Sequence, residues 1–183
     1  MMKWTLFAVL SAVILGVSWK SLRVPGSHGF YRFFAWEVIV FLVFLNLDSW
    51  VRDPLAWHQI LSWFLLVVSL LPLAFGVGSL TGRGKPAAKR ESEPQLLAFE
   101  KTTTLVNTGI YRYIRHPLYS SLLFLAWGTF FKLPTWYGAL LAFSATGFLW
   151  ATAKADEAEC IRFFGPEYAE YMKRTKRFVP FLF

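Results

Sequence analysis

Between residues 111 and 119 the chain reads YRYIRHPLY, directly before the apolar run LLFLAWGTFF. Proline is well tolerated in the first turn of a helix, where its missing N–H would be unpaired anyway. Pro117 is therefore expected to open a helix with Arg115 and His116 at its mouth and Tyr111 and Tyr119 beside it. Free amides and the helix dipole make such a mouth attractive to anions. Arg and Tyr alone could serve as headgroup anchors, but His-Pro set between tyrosines at regular spacing is more than an anchor needs. A second group is Asp156-Glu157, with Glu159 close by, at the end of another apolar run. Carboxylates at a membrane boundary are costly unless paired or wet, which points to function for the first two. Glu159 is expected to face water.

Two weaker patterns accompany them. FFGPEYAEY (163–171) is followed by KRFVP (176–180). Gly165 is a natural helix stop and Pro166 a restart, so a short amphipathic helix should carry Tyr168 and Tyr171 on one face. Such a helix could lie flat at the interface or cap a pocket. Gly76-Val77-Gly78 sits near the end of a long apolar segment. It follows no strand, so a dinucleotide fold is excluded, and small residues commonly serve helix packing in membranes.

The elements that must position these groups are membrane helices. Hydrophobic residues make up 56% of the 183 and charged residues only 16%. A soluble domain of this size leaves roughly a third of its unfolded surface wet and could not hide so much apolar area. Spans are expected at about 4–19, 33–50, 56–80, 117–131 and 134–155. The expected architecture is therefore all-α and polytopic, with the last two spans in a hairpin turning at Lys132-Leu133-Pro134. Residues 1–183 read as a single membrane-embedded domain without internal repeats.

Charge sets the orientation. The net charge of +8 is spread over short loops rather than gathered on a basic domain, which argues against nucleic acid as a partner. Placing the first loop, the third loop and the C-terminal tail on one face collects sixteen of the 19 Lys and Arg, leaving Lys3, Arg52 and Lys132 opposite. The positive-inside rule then puts the C-terminus in the cytoplasm and the N-terminus outside. The first segment also resembles a signal peptide in its charged start and short apolar run. Its cleavage would leave Lys20 and Arg23 outside, against the charge bias. TGRGKPAAKRESEPQ (81–95) reads as an exposed loop, and 96–109 as a less polar stretch lying against the protein or membrane surface. The single Cys160 excludes an internal disulfide framework. His28, assigned to a loop, His58 and His116 are too scattered in sequence to suggest a metal or heme site.

GIYRYIRHPLY combined with DEAECIRFFGPEYAEY and a terminal RFVP resembles the isoprenylcysteine carboxyl methyltransferase family, and more broadly the integral-membrane phospholipid methyltransferases. The likeness covers about residues 96–183; the first three spans agree in character rather than motif. It implies S-adenosylmethionine as methyl donor, with S-adenosylhomocysteine as product, at the cytosolic ends of the last helices. Carried over by position, it implies Leu105, Val106, Tyr111, His116, Pro117, Leu118, Tyr119 and Asp156 as cofactor residues, joined by Gly76 and Gly78 on the pattern of the phospholipid enzymes. Glu157, Arg115 and Arg177 are the candidate catalytic groups. The chain departs from the family in having Asp-Glu where Glu-Glu is usual. It also has Thr152 where prenylcysteine enzymes carry an arginine for the substrate carboxylate.

The resemblance implies methylation of a lipophilic acceptor that enters sideways from the bilayer, at the cytoplasmic face and with no obligate protein partner. A carboxylate acceptor needs only a cation to orient it, whereas an amine or thiol needs a base such as Glu157 or His116. An isoprenylcysteine-like acid and a phospholipid amine both remain open as acceptors. The alternative from another class is a non-catalytic protein whose basic face binds anionic lipids.

Overall fold

In the computed structural model, which describes residues 2–84, 97 and 101–181, the chain is helical throughout its regular structure. Helix α1 (Met2–Leu22) packs on α2 (His28–Asn46), which runs into a short 3-10 turn at Leu47–Ser49. Then come α3 (Trp57–Arg83), a 3-10 turn at Gly109–Arg112, α4 (Pro117–Phe130), α5 (Trp136–Phe164) and α6 (Pro166–Arg174). The predicted exposed loop at 81–95 begins late, because α3 continues through Arg83. Most of the rest of that loop, and residues 96 and 98–100 of the stretch after it, lie outside the described residues.

Local chemistry fixes the boundaries. Ser27 Oγ accepts the amide of Phe30 and starts α2 five residues before the predicted span at 33. Its polar first turn had hidden that start, and it makes His28 the first residue of a helix, not part of a loop. Thr135 Oγ1 caps α5 through Gly138 N. Gly165, at φ +64°, ends α5, and Pro166 opens α6, as the sequence predicts.

Packing places α4, the shortest of the five helices at the expected spans, at the centre. α4 touches α3, α5 and α2, while α5 lies between α2 and α4. Small residues let α3 and α4 approach at both ends. At one end a Cβ on Gly76 would stand 3.2 Å from Pro117 and Leu118; at the other, a Cβ on Gly128 would stand 3.0 Å from Leu66. Ser62 Oγ donates to Gly128 O at 2.7 Å across the same seam. Ala35, Ile39, Ala126, Ala145, Leu149 and Ala153 fill the space between α2, α4 and α5.

Lengths relate these helices to a bilayer. Among the described residues, Met2–Leu22, His28–Ser49 and Trp57–Arg83 are long and apolar enough to cross it. α4, with 14 residues, rises about 21 Å and falls short of the roughly 30 Å hydrocarbon core. α5, with 29 residues, rises about 44 Å, longer than that core, but is not among the three helices that are both long and apolar enough; Asp156 and Glu157 lie in its second half. At the opposite end of the bundle Lys132 is fully buried, its Nζ donating to Gln59 Oε1 at 3.0 Å and lying 3.5 Å from the Trp63 ring centroid.

Candidate active site

The helix ends predicted to share one face do so. The start of α2, the end of α3, the mouth of α4, the last turns of α5 and the inner face of α6 enclose a cleft of about 100 Å³ that opens to the surface. The cleft is lined by Leu105, Val106, Tyr111, Arg115, His116, Pro117, Leu118, Tyr119 and Asp156 from the predicted set. His28, Cys160, Phe164, Tyr168 and Tyr171 are among the residues that complete it.

His116 is the N-cap of α4 and makes no side-chain cap, so the first-turn amides after Pro117 are not satisfied by it. Its ring stacks on Tyr119, with centroids 5.2 Å apart and planes 18° from parallel. His116 Nδ1 lies 3.4 Å from Asp156 Oδ2, and Nε2 lies 3.3 Å from Glu157 Oε1. Tyr119 donates its hydroxyl to the same Asp156 oxygen at 3.1 Å. Burial by itself would lower the pKa of His116, but the two carboxylates outweigh it and raise the net value. Burial would raise Asp156 and Glu157. Hydrogen bonds from His116, and for Glu157 also from Arg177 and Arg115, instead hold both well below the usual carboxylate range.

Glu157 is the hub of a charged cluster behind the cleft wall. Arg115 donates Nε and Nη2 to its Oε1 at 3.0 and 2.9 Å. Arg177 donates Nε to Oε1 at 3.0 Å and Nη2 to Oε2 at 2.7 Å while stacking 4.5 Å over Trp150. The C-terminal tail arrives there by backbone pairing. Arg115 N donates to Lys176 O at 2.8 Å, His116 N to Arg177 O at 3.1 Å, and Lys176 N to Tyr113 O at 3.0 Å. Ser120 Oγ binds Phe178 O, and Tyr171 donates its hydroxyl to Tyr111 O, so α6 is fastened across the cleft.

Several expectations need correction. Glu157 and Arg177 do not line the cleft: the predicted catalytic acid is spent on two guanidiniums. Gly76 is buried against Pro117 and Leu118 and supports the cleft from behind, whereas Gly78 is exposed with open space around it and has no part in the wall. Glu159 is 6% exposed rather than water-facing. Its Oε1 accepts the His28 amide and its Oε2 lies 2.9 Å from His28 Nδ1. His28 and His116, distant in sequence, line one cleft. The sequence signal for the His28 contact was a histidine directly after a capping serine at the head of an apolar helix. Glu159 carried a signal too, since it stands three residues beyond Asp156 and hence near the same helix face.

This geometry coincides with a sequence likeness. A family model described as phospholipid methyltransferase matches residues 95–166. The protein-S-isoprenylcysteine O-methyltransferase of Homo sapiens is 29% identical over 142 residues, covering 74% of this chain and 50% of that protein. The Mus musculus protein of the same name is 28% identical over the same shares, and the one from Rattus norvegicus is 34% identical over 82 residues, 44% of this chain and 29% of that protein. The chain thus spans about half the length of the human and mouse relatives. No solved structure gives a significant match. Apolar helices, the histidine–proline helix mouth facing a carboxylate pair, and these matches agree in likening the chain to the isoprenylcysteine and phospholipid methyltransferases.

Proposed function

We propose that the protein transfers a methyl group from S-adenosylmethionine to a lipophilic acceptor at the cytoplasmic membrane face. The observation that carries this reading is the cleft itself, where an acid, a helix mouth and tyrosine rings meet at the end of apolar helices. The residues present suit the donor. Asp156 offers a carboxylate for its amino group or ribose hydroxyls, and the mouth of α4 with His116 suits its carboxylate. Tyr111, Tyr168 and Tyr171 supply ring faces for a sulfonium. Bound there, the donor would supply an activated methyl group.

The protein's own residues would align the partners. In-line displacement at carbon depends chiefly on orientation, and a rigid cleft supplies it. Tyr119 and His116 fix Asp156, the tail pairing fixes His116, and the Tyr171–Tyr111 bond holds α6 over the reacting centre. Leu80 and Leu118, where α3 meets α4, give the cleft an apolar side toward helices that expose Leu73 and Phe75. A greasy tail would enter along that side.

The test is equilibrium binding of S-adenosylmethionine to the detergent-solubilised protein, compared with His116→Ala and Asp156→Ala. Saturable binding that weakens at least tenfold in both variants is expected. Absence of binding by the parent would leave the basic face as a lipid-binding surface and defeat the catalytic reading. Mass spectrometry of lipid extracts incubated with isotope-labelled donor would then identify the acceptor.

A further inference from the structure

Two hollows outside the cleft, of about 500 and 360 Å³, share Arg174 and Thr175, where α6 ends. Among the described residues the larger is lined also by Asn107, Thr108, Arg112 and Tyr171. The smaller is lined also by Arg115, Met172, Lys173, Lys176 and Arg177. Arg83 adds a charge beside the larger one, donating Nη1 to Thr108 Oγ1 at 2.7 Å. Arg115 and Arg177 are spent on Glu157, and Lys173 pairs with Glu170 at 2.5 Å. The positive field of the two hollows therefore comes chiefly from the exposed Arg112, Arg174 and Lys176.

The local fold builds this arrangement. α6 stops at Arg174 because Thr175 is extended, at φ −124° and ψ 155°. One parallel bridge to Ile114 then holds the tail, with Lys176 left exposed while Arg177 reaches in to Glu157. A helix C-terminus ordinarily repels an anion. Here two of its last carbonyls already have donors, Tyr171 O from Thr175 Oγ1 at 2.8 Å and Met172 O from Arg115 Nη1 at 3.2 Å, which removes part of that repulsion. The surroundings select a lipid as the source of the anion. Phe178 is buried in the helix core, its carbonyl bound by Ser120 Oγ in the first turn of α4, and the tail resurfaces at Phe181. Phe181 is 80% exposed and meets the half-exposed Tyr113 edge-on, with ring centroids 6.1 Å apart. Tyr113 follows Arg112 in sequence and accepts the amide of Lys176 at 3.0 Å. Exposed rings at the end of an apolar bundle settle at the headgroup level of a bilayer, and neighbouring cations then meet lipid phosphates.

We propose that Arg112, Arg174 and Lys176 bind the phosphate of an anionic phospholipid, and that this lipid fastens α6 over the cleft. Arg112 stands on the 3-10 turn Gly109–Arg112 and Arg174 on the last turn of α6, so one headgroup bridges two elements. Tyr171 carries the coupling. It lines both the larger hollow and the cleft, and it donates its hydroxyl to Tyr111 O at 2.7 Å. A headgroup held at Arg174 braces that turn, and lifting α6 from the cleft then requires releasing the lipid. The lipid is a lasting ligand, neither methyl donor nor acceptor, and the site stands whether or not the cleft holds S-adenosylmethionine.

The test uses the full chain, delipidated in detergent, and native mass spectrometry with dioctanoyl phosphatidylglycerol, dioctanoyl phosphatidylcholine and inorganic phosphate as probes. The anionic lipid should bind saturably and about tenfold or more tighter than either other probe. Arg112→Gln and Arg174→Gln should each weaken it about fivefold, the effect of one near-surface cation, and together about twentyfold or more. The pair Arg112→Lys and Arg174→Lys, which keeps the charge, should stay within about threefold of the parent. Lys20→Gln with Arg23→Gln, which removes the same charge from the first loop, should leave binding unchanged. Phe181→Ala should weaken the lipid and not the inorganic phosphate. In nanodiscs, phosphatidylglycerol added to phosphatidylcholine should slow amide exchange in α6 about threefold or more, and should not do so in the double glutamine variant. Equal binding of the two lipids, or an equal loss from the first-loop variant, reduces the site to diffuse surface charge and overturns the proposal. A loss with lysine as large as with glutamine, or inorganic phosphate binding as tightly as the lipid, overturns it too. Exchange in α6 that ignores the lipid overturns the fastening. A parent that binds no S-adenosylmethionine in the same discs defeats the methyltransferase reading and not this one.

Discussion

Arg177 reaches Glu157 with two nitrogens, Nη2 lying 2.7 Å from Oε2 and Nε 3.0 Å from Oε1. One residue belongs to the C-terminal tail and the other to α5, so the bond locks the last segment of the chain onto the helix hairpin. Glu157→Ala leaves two guanidiniums, Arg115 and Arg177, without their shared acid. Breaking a buried pair typically costs about 3–5 kcal/mol. Arg177 is partly exposed, so the loss is expected near the lower end, read as a fall in unfolding temperature of the solubilised protein. A variant as stable as the parent would show that the cluster does not fasten the tail.

The Tyr119–Asp156 bond offers a finer probe. Tyr119→Phe keeps the stacking on His116 and removes one hydroxyl that donates to a carboxylate at 3.1 Å. Hydrogen bonds to charged groups contribute about 1.5–3 kcal/mol. Stability should fall by about that amount, read as a lower unfolding temperature, and donor affinity, measured by calorimetry, should weaken as Asp156 loses its fixed orientation. Unchanged affinity would place the donor away from Asp156.

The two glycines of α3 should behave oppositely. A side chain at Gly76 would meet Pro117 and Leu118 at 3.2 Å, so Gly76→Val pushes the α4 mouth and should abolish donor binding. Gly78→Ala meets nothing within 4 Å and should be silent. Equal effects of both substitutions on donor binding would contradict the seam described here.

Acid and base should each destabilise the cluster, from opposite directions. Asp156 and Glu157 are held below their ordinary values of 3.8 and 4.5, so their contribution is complete above those values and is lost as pH falls through the depressed ones. His116 is raised above 6.5, so its contribution is complete below that value and drains as pH rises through the raised one. Unfolding temperature should therefore plateau between about pH 5 and 6.5 and decline on the alkaline side. His116→Asn should flatten the alkaline decline; an unaltered slope would assign it to another group.

Orientation is open to direct measurement. With Cys160 replaced by Ser, single cysteines at Arg83 and Lys176 should react with a membrane-impermeant reagent only from the cytoplasmic side, and one at Arg52 only from the other. The reverse pattern would overturn the placement of the cleft.

Much of the architecture was legible one residue at a time. Hydropathy marked where the helices lie, although among the described residues only three of the five expected spans are long and apolar enough to cross a bilayer, and Gly165-Pro166 marked the α5–α6 break because backbone conformation there is a local matter. Tyr111, Arg115, His116, Pro117 and Tyr119, which line the cleft, were legible as well, since they lie within a single short stretch, whereas Leu105, Val106 and Leu118 were expected only from the family resemblance.

What the sequence by itself determined was therefore the inventory: apolar helices, their ends, and which chemical groups stand at those ends. Only the tertiary structure decided the partners. Glu159 looked solvated because nothing near it in sequence offers a donor; the His28 amide and ring arrive from another helix. Glu157 was legible only as an acid at a helix end; the fold brings Arg177 from the tail to join Arg115 on it. A carboxylate's role depends on which charges lie within a few ångströms, and those distances are set by packing between segments far apart along the chain.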